Sequence, residues 1–372
     1  MKILFDHQIF AIQEFGGISR YFLELMPWLK KIDGGHITTE LTGRYSNNVY
    51  LDDFGFIQYR NFFRKQNFPG KGPLLNQINK LYSIPIIRKG GFDVLHPTYY
   101  DPYFLRFLGK KPFVLTIYDM IHELYPQFFP RYDSVRKNKS ILVNKADAII
   151  AISENTKKDL VRIYKLDPEK VHVIYLGNPF QDREPIHKRI EIPIPDKYIL
   201  FVGNRSNYKN YYFFIKAVRP LFAEYPDLSV VCAGGGKFSR EEYAFLKESG
   251  IQGKVVQITS NDEALQRIYH DAQSFIFPSL YEGFGLPVLE AFSCHCPALL
   301  SNRSSLPEVG GNAALYFDPN DGESIRSAVR CVLDNEESRE RLIEEGLRQL
   351  KKFRWEKTAE ETRSVYQTVC RQ

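Results

Sequence analysis

Short apolar runs alternate along this chain with longer segments in which apolar residues recur at helical spacing. In the first half, the runs predict buried strands at residues 3–6, 92–96, 112–117, 148–152 and 171–175. A helix is predicted after the first strand, where Ile18, Phe22 and Leu25 share one face. Another is predicted over residues 154–164, with Ser153 as its N-cap. Strands that alternate with helices in this way form parallel sheets.

The second half of the chain repeats this rhythm. Its apolar runs predict strands at residues 198–202, 228–233, 254–258, 274–278, 297–301 and 313–317. Residues 178–196 separate the halves and contain four prolines and several charges, which is typical of a domain boundary. We therefore predict an α/β protein of two Rossmann-like domains that face each other across a cleft. Its ligands should bind at the carboxyl ends of the strands.

Residues 44–90 interrupt the rhythm. The segment is rich in Asn, Pro, Gly and aromatic residues, and it is long for a connection between a helix and a strand. Long connections of this kind are often functional. We predict an irregular segment here, and we expect it to contact a ligand.

Composition fits an ordinary globular protein, because 44% of the 372 residues are hydrophobic and 25% are charged. The first residues turn polar too soon for a signal peptide, and no apolar run in the sequence is long enough to cross a bilayer. We therefore expect a cytoplasmic protein. The five cysteines are odd in number and lack zinc-site spacing, which favours reduced thiols.

Basic residues are concentrated in one region. Residues 60–139 contain fourteen Lys or Arg against five Asp or Glu, a net +9, and aromatic residues lie among them. Such a region would attract an anionic membrane surface or a lipid-phosphate acceptor, which predicts a peripheral membrane location. A solvated basic surface is the alternative. Nucleic acid is not expected as a partner, because no binding module is recognisable.

Residues 279–290 read Ser-Leu-Tyr-Glu-Gly-Phe-Gly-Leu-Pro-Val-Leu-Glu and follow a predicted strand. Gly283 and Gly285 leave room for a ligand to approach the backbone, and the helix that follows offers free N–H groups and a partial positive charge to an anion. Glu282 and Glu290 flank this helix end, and carboxylates are good acceptors for hydroxyl groups. A ligand with both a phosphate and a polyol fits best. The alternative is two solvated glutamates around a turn.

This stretch resembles the signature of the family 4 retaining glycosyltransferases, in which two glutamates are separated by seven residues around Phe284-Gly285-Leu286-Pro287. In that family the first glutamate contacts the donor sugar and the second contacts the ribose hydroxyls of the nucleotide. The resemblance implies these roles for Glu282 and Glu290. It also implies that the loop residues between them contact the donor, namely Gly283, Phe284, Gly285 and Leu286.

The resemblance also implies a domain plan, the GT-B fold. Residues 1–178 should form an acceptor-side Rossmann-like domain, and residues 179–354 should form a nucleotide-sugar-binding one. Residues 355–372 should form a helix that crosses back to the first domain.

A second donor contact is implied after the strand at residues 198–202. The family places a basic pair here to neutralise the diphosphate, and Lys209 matches it well. Arg205 sits one position later than the arginine of many relatives. Gly203 and Asn204 on the same turn are expected donor-binding residues. A surface salt bridge is the alternative for Lys209.

Two further positions are implied in the first domain. Gly16 and Gly17 match the glycine turn that approaches the donor phosphate in the family, although turn glycines are common. After the strand at residues 112–117, many relatives carry a histidine that contacts the donor sugar, whereas this chain has Tyr118. His122 could take that role if its loop carries it inward, and a surface or capping role is the alternative.

The resemblance implies a retaining transfer of a hexose from a nucleoside diphosphate, with UDP-hexose slightly favoured over GDP-mannose. The acceptor would be a saccharide or a lipid-linked saccharide in polysaccharide biosynthesis. The sequence contains no Asp-x-Asp motif, so we expect no metal and no other cofactor. Two alternatives stay open, since a fold does not fix a chemistry. One is a nucleotide-sugar epimerase or phosphorylase, and the other is an inactive subunit that binds nucleotide sugar in a polysaccharide-assembly complex.

Overall fold

The computed structural model describes residues 1–55, 59–63, 66, 68–182, 194–205 and 207–371. The chain divides into two compact units. The first unit is Met1–Gly177 together with Trp355–Gln372, and the second unit is Asn178–Arg354.

The first unit contains a parallel sheet. Its strands are β1 (Lys2–Phe5), β2 (Thr38–Leu41), β3 (Val94–His96), β4 (Val114–Ile117), β5 (Ala148–Ala151) and β6 (Val171–Val173). β1 lies between β2 and β3, and β5 lies between β4 and β6, with parallel pairing throughout. An isolated parallel bridge between Leu95 and Phe113 joins the two sets. The strands therefore form one array in the order β2-β1-β3-β4-β5-β6.

Helices connect these strands. They are α1 (Gln8–Ile12), α2 (Gly17–Ile32), α3 (Tyr50–Asp53), α4 (Lys71–Lys89), α5 (Ile121–Leu124), α6 (Val135–Lys145) and α7 (Glu154–Tyr164). Short 3-10 turns lie at Pro102–Arg106, Pro126–Phe128 and Pro168–Lys170. The predicted N-cap of α7 is confirmed, because Ser153 Oγ accepts a hydrogen bond from the Thr156 N–H at 3.0 Å.

The prediction of an irregular segment over residues 44–90 is wrong. α4 is a helix of 19 residues in this segment, and the short helix α3 precedes it. The buried face of α4 includes polar Asn79 and Ser83, whereas Leu81 and Tyr82 are exposed. Because a helix is predicted from apolar residues on its inward face, this arrangement conceals α4 in the sequence.

The second unit is a doubly wound domain. Its strands are β7 (Tyr198–Val202), β8 (Ser229–Ala233), β9 (Val255–Ile258), β10 (Ser274–Phe277), β11 (Ala298–Ser301) and β12 (Ala314–Phe317). They pair in parallel in the order β12-β11-β10-β7-β8-β9. Each predicted strand of this half is present, with ends that differ by no more than one residue.

Helices also connect the strands of the second unit. They are α8 (Tyr211–Val218), α9 (Leu221–Glu224), α10 (Arg240–Glu248), α11 (Asp262–Asp271), α12 (Leu286–Ser293), α13 (Leu306–Gly310), α14 (Gly322–Asp334) and α15 (Glu336–Leu350). 3-10 turns lie at Asn207–Lys209 and Gln252–Lys254. Phe201 of β7, Phe214 of α8 and Val329 of α14 are fully buried in the same hydrophobic cluster, which fixes these helices on the sheet.

The last helix, α16 (Trp355–Arg371), belongs to the first unit, as the predicted fold requires. It contacts α2, and Arg363 of α16 lies 3.1 Å from Asp33 at the end of α2. Tyr366 Oη forms a buried hydrogen bond of 2.6 Å with His96 Nδ1 on β3. Among the described residues, none of the helices combines the length and the apolar character that crossing a membrane requires.

Candidate active site

The strand order of the second unit marks one place on its sheet. The chain winds from β7 through β8 to β9 in one direction and from β10 through β11 to β12 in the other. The loops that follow β7 and β10 therefore leave neighbouring strands at the carboxyl edge and diverge. Ligands of doubly wound sheets bind at such a switch point. Residues 203–205 and 207–210 belong to the first of these loops, and residues 278–285 form the second.

Two serines that follow β11 form hydrogen bonds with the loop after β10. Ser304 Oγ accepts a hydrogen bond from the Glu282 N–H at 2.8 Å. Ser305 Oγ lies 2.9 Å from the Glu282 carbonyl and 2.8 Å from the Phe284 carbonyl, and its single proton is shared between them. Ser305 is fully buried, so these contacts replace hydrogen bonds to water. They fix the backbone of the glutamate-bearing loop, including Gly283 between the two carbonyls.

Gly285 ends this loop and caps α12. Its φ is 112°, a left-handed conformation that a side chain disfavours. A Cβ at this position would also lie 2.9 Å from Leu306 Cδ2. Leu286 and Pro287 then open α12. Pro287 has no N–H, and the Val288 N–H donates to the Gly285 carbonyl at 2.9 Å, which leaves the Leu286 N–H, of the first three helix residues, for a ligand. The predicted glycine turn and helix end are therefore both present at the switch point.

Lys209 and Glu282 connect the two loops. Lys209 Nζ lies 2.6 Å from Glu282 Oε1, and these side chains are only 13% and 11% exposed. The Leu280 N–H also donates to the Tyr208 carbonyl at 2.8 Å, so backbone and side chains both join the loops. The ammonium group lies over the ring of Phe277 as well, at 4.8 Å from its centroid. The structure thus brings together the predicted phosphate-binding cation and the predicted sugar-binding carboxylate.

Glu290 is held in place by a tyrosine of α11. Tyr269 Oη donates to Glu290 Oε2 at 3.0 Å, and Tyr269 is fully buried. Burial, and then the neighbouring Glu290 carboxylate, raise the pKa of Tyr269 well above its ordinary value, so its hydroxyl stays protonated and donates. Glu290 lies one turn into α12 and is 8% exposed.

Arg205 binds protein groups instead of facing open space. Its Nε donates to Glu242 Oε1 at 2.5 Å. Its Nη atoms donate to the carbonyls of Gly234, Gly235, Gly236 and Lys237 at 3.0–3.3 Å. Each of these three glycines has a positive φ, which turns the carbonyls toward the guanidinium group. Arg205 therefore supports the turn after β8, and a direct contact with a diphosphate stays a prediction.

Gly203 and Asn204 lie on the same edge. Gly203 follows β7 with a φ of 123°, and its N–H donates to the Ala233 carbonyl at the end of β8 at 2.9 Å. Asn204 lies close to the glycine turn after β8, because its Cα is 3.1 Å from the position that a Cβ at Gly235 would take. A contact of either residue with the donor stays a prediction.

Gly16 and Gly17 lie in the first unit. Gly16 caps α2 in an extended conformation, and a Cβ there would lie 2.3 Å from Gln13 Oε1. Gly17 is the first residue of α2. A side chain at Gly16 would displace the end of the Gln13 side chain, which accepts from the Ser19 N–H at 3.2 Å. A role of Gly16 or Gly17 at the donor phosphate stays a prediction.

His122 also lies in the first unit, on the short helix α5. Its ring stacks on Phe129 with 3.8 Å between centroids, and its Nε2 lies 3.4 Å from Asp133 Oδ2. Burial, and then the nearby Lys139 ammonium, lower the pKa of His122, so it is neutral at neutral pH. Tyr118 is buried and donates its hydroxyl to the Thr98 carbonyl at 3.2 Å. A contact of His122 with a donor sugar stays a prediction.

Sequence reasoning missed the residues that hold the glutamates. Ser304 and Ser305 follow the predicted strand at residues 297–301, and the rule that strand ends face the ligand could have found them. The sequence does not indicate a role for Tyr269, because a tyrosine on the buried face of a helix is usually a residue of the hydrophobic core. The described residues contain no group of three or more His, Cys, Asp or Glu side chains placed to hold a metal ion. A metal-independent reaction stays a prediction.

Two family models match the chain. The model described as "Glycosyltransferase Family 4" matches residues 15–179, and the model described as "Glycosyl transferases group 1" matches residues 182–349. The two matches meet at the boundary between the two units, which falls after Gly177.

Known proteins show the same likeness. The chain is 29% identical to "O-antigen chain mannosyltransferase B" of Escherichia coli, over 95% of this chain and 96% of that protein. It is 26% identical to "D-inositol 3-phosphate glycosyltransferase" of Corynebacterium glutamicum (strain R), over 74% of this chain and 72% of that protein. Among solved structures, sucrose-phosphate synthase from Thermosynechococcus elongatus matches with a TM-score of 0.79 at 18% identity, over 99% of each chain. That last likeness bears on the fold alone.

Proposed function

This chain belongs to the family 4 glycosyltransferases and has their GT-B fold, and on that premise we propose that it transfers a hexose with retention of configuration. The donor is a nucleoside diphosphate sugar, and the acceptor is a saccharide or lipid-linked saccharide of a growing polysaccharide. The observation that carries the proposal is the contact of 2.6 Å between Lys209 Nζ and Glu282 Oε1 at the switch point of the second unit. A cation and a carboxylate held together at this edge can bind a phosphate and a hydroxyl of one ligand.

The difficult step is departure of the diphosphate while positive charge builds on the sugar. Lys209, the Leu286 N–H and the positive end of the α12 dipole stabilise the leaving phosphate, each good donor contributing about 3 to 4 kcal/mol. Glu282 accepts from a hydroxyl of the sugar and orients the ring, and Glu290 accepts from the ribose. Arg205 contributes through the glycine turn that it supports. No metal takes part.

Retention is expected from the family, and we assign no nucleophile. In the reaction that we propose, the acceptor oxygen attacks the anomeric carbon on the face from which the diphosphate leaves. The bond from the anomeric carbon to the phosphate oxygen breaks, and the departing phosphate takes the acceptor proton. The protein therefore contributes position and charge, and it forms no covalent intermediate.

Two donors were open from the sequence, UDP-hexose and GDP-mannose. The Escherichia coli relative is a mannosyltransferase that is matched over 96% of its length, which supports mannose. We therefore place GDP-mannose first among the donors to test. The basic region at residues 60–139 supports an acceptor at an anionic membrane surface, on the cytoplasmic side.

The proposal is tested by incubating the protein with GDP-mannose or a UDP-hexose, with and without an oligosaccharide acceptor and with and without EDTA. We expect transfer that needs the acceptor and survives EDTA, and a product whose anomeric configuration by NMR matches that of the donor. A new sugar isomer formed without acceptor would instead show an epimerase. An inverted product would refute retention.

The variant Glu282→Gln tests the contact between Lys209 and Glu282. We expect a loss of about 100-fold or more in kcat, because a misplaced sugar alone costs about that much. The matched control is Glu337→Gln, an exposed carboxylate on α15. Unchanged kcat would end the role proposed for Glu282, and unchanged product formation in cells that carry only this variant would favour a noncatalytic subunit.

A further inference from the structure

Helix α4 is built with polar residues on its inward face. Its buried residues are Leu75, Asn79, Ser83 and Ile87. Asn79 Oδ1 accepts from the N–H groups of Arg44 and Tyr45 at 2.9 and 3.0 Å. Ser83 Oγ lies 2.8 Å from His7 Nδ1. Hydrogen bonds therefore provide much of the attachment of α4 to the first unit.

Several apolar residues of α4 face outward, although Leu75 and Ile87 are buried. Leu74 is 46% exposed, Leu81 is 71% exposed and Tyr82 is 44% exposed, while Pro85 is also exposed and Ile78 is half-buried. These five positions recur at the spacing of one helical face. Single exposed apolar residues are ordinary, but a stripe along one face is typical of a helix that lies in an interface. We call this set the outer stripe.

Aromatic rings extend the outer stripe across the surface. The ring of Tyr82 lies 6.3 Å from that of Tyr45, and Tyr45 lies 5.8 Å from Phe62. Phe62 then contacts Phe63 at 5.1 Å, and Phe63 contacts Phe68 at 5.9 Å. Phe63 is 54% exposed. Phe62 is buried, so this row of rings connects the exposed Tyr82 and Phe63 through the edge of the core of the first unit.

The segment that carries the outer stripe is basic in sequence, although Lys80 of α4 pairs with Asp101 at 2.5 Å. The sequence from residue 54 to residue 92 contains seven Lys or Arg and no Asp or Glu. Lys71 is the first residue of α4, and Arg88 and Lys89 close its last turn. Arg44 lies over the ring of Tyr82, at 5.8 Å from its centroid. Cations that flank an apolar helical face complement a surface whose headgroups are anionic and whose interior is apolar.

We infer that the outer stripe of α4 docks the protein on an anionic phospholipid bilayer, with its leucines among the acyl chains and its flanking cations at the headgroups. This rests on the proposed function for its purpose, because a bilayer would hold a lipid-linked acceptor beside the enzyme. The docking itself depends only on α4 and its surroundings. A second copy of the chain is the rival occupant, and the positive charge of the area opposes it, because two such faces would repel each other.

Co-sedimentation of the full chain with vesicles tests the inference. We expect binding to vesicles of equal parts phosphatidylglycerol and phosphatidylcholine, and little binding to phosphatidylcholine alone. The variant Leu74→Asp/Leu81→Asp should bind about tenfold or more weakly, since each leucine loses its apolar burial. Arg88→Gln/Lys89→Gln should weaken binding about fivefold for each charge removed. Tyr243→Asp, at a residue of the second unit that is 50% exposed, is the control and should bind like the unaltered protein.

Each result has a defined meaning. The inference is overturned if the unaltered protein stays in the supernatant with both vesicles, or if Leu74→Asp/Leu81→Asp binds normally. It is also overturned if sedimentation velocity shows a dimer that this variant dissociates. Melting temperatures confirm that the variants are folded. Thermal shift with GDP and UDP separates the two proposals: a variant that binds nucleotide but not vesicles supports docking, whereas an unaltered protein that binds vesicles but no nucleotide contradicts only the proposed function.

Discussion

The two units treat charge and apolar surface in opposite ways. The first unit carries 28 Lys and Arg against 20 Asp and Glu, and the second carries 22 against 24. Of the nine large apolar residues that are exposed in the described part of the chain, seven lie in the first unit. In the second unit, charged residues of the candidate site are buried against partners, as Arg205 is against Glu242 and Lys209 against Glu282.

The second unit thus has the features of a binding site, and the first unit has the features of a docking surface. In the second unit, the side chains at the switch point are fixed by hydrogen bonds before any ligand arrives, which is the arrangement that catalysis by charge requires. In the first unit, α4 leaves apolar area in contact with water, which costs free energy unless something covers it. Three substitutions test how strongly the second unit depends on the hydrogen bonds and ion pairs within it. A change of pH tests how the buried histidines limit the stability of the first unit.

The largest effect is expected for Arg205→Met. The substitution leaves the Glu242 carboxylate buried without its cation, which costs about 3 to 5 kcal/mol. Hydrogen exchange measured by peptide should show faster opening confined to the second unit. Arg219→Met, at an exposed arginine after α8, is the control and should change stability by about 0.5 kcal/mol or less. Equal exchange in the two variants would show that the charges of the second unit are not interdependent.

Ser305→Ala should have the next largest effect. It leaves the buried Glu282 and Phe284 carbonyls without their shared donor, which costs about 1 to 3 kcal/mol. Because the same carbonyls fix the glutamate-bearing loop, kcat should also fall, by about tenfold or more. Urea unfolding and steady-state kinetics measure the two effects. Ser327→Ala, at an exposed serine of α14, is the control. An equal loss of kcat in this control would show that activity does not depend specifically on the loop that Ser305 holds.

Acid should destabilise the first unit before the second. Burial lowers the pKa of His96 to about 3, and burial also lowers the pKa of His7. As the pH falls below about 6.5, the unfolded chain takes up a proton that folded His96 does not, so stability is intact above pH 6.5 and falls by about 1.4 kcal/mol per pH unit below it. The loss for His96 alone is about 2 kcal/mol at pH 5.

Hydrogen exchange at pH 7 and pH 5, corrected for the intrinsic rates, measures this effect. His96→Gln lowers stability at both pH values but should flatten the dependence on pH. The second unit has His270 and His295 at exposed positions among its described residues, so it provides an internal reference. Earlier opening of the second unit at pH 5 would reverse the comparison.

The smallest effect is expected for Tyr269→Phe. It removes the hydroxyl that holds Glu290, and a hydrogen bond to a charged group contributes about 1.5 to 3 kcal/mol, of which only part should reach the ligand. We expect donor KM to rise about fivefold with kcat nearly unchanged, and the preference for a ribose over a 2′-deoxyribose nucleotide to shrink. Tyr198→Phe is the control, because its hydroxyl donates to the Ile268 carbonyl. Equal effects of the two variants would mean that Tyr269 acts on stability alone.

The sequence predicted the parts of the fold that follow from local pattern. Strand β7 and helix α7 have the predicted bounds, because an apolar run and a capped apolar period each determine one element. α4 was missed for the opposite reason, since two of its four buried positions, Asn79 and Ser83, are polar.

The candidate site was predictable only in part. The loop of Glu282 and Gly285 could be predicted, because its residues and the helix end are contiguous in the sequence. The contacts of Ser305 and Tyr269 could not be, since they join residues 21 to 23 positions apart that only the folded chain brings together. The ion pair of Arg205 could not be predicted either, because its partner Glu242 lies 37 residues away on α10.

The place of α16 has a consequence for biosynthesis. A ribosome delivers the first 177 residues well before it delivers Trp355, yet Trp355 and Tyr366 are part of the interior of that first unit. A Cβ on Gly177 would lie 2.5 Å from the Trp355 ring, so the indole packs directly against this backbone. That packing position stays unfilled while the whole second unit is translated. The half of the enzyme that is made first is thus finished last, and until then part of its core is open to chaperones and proteases.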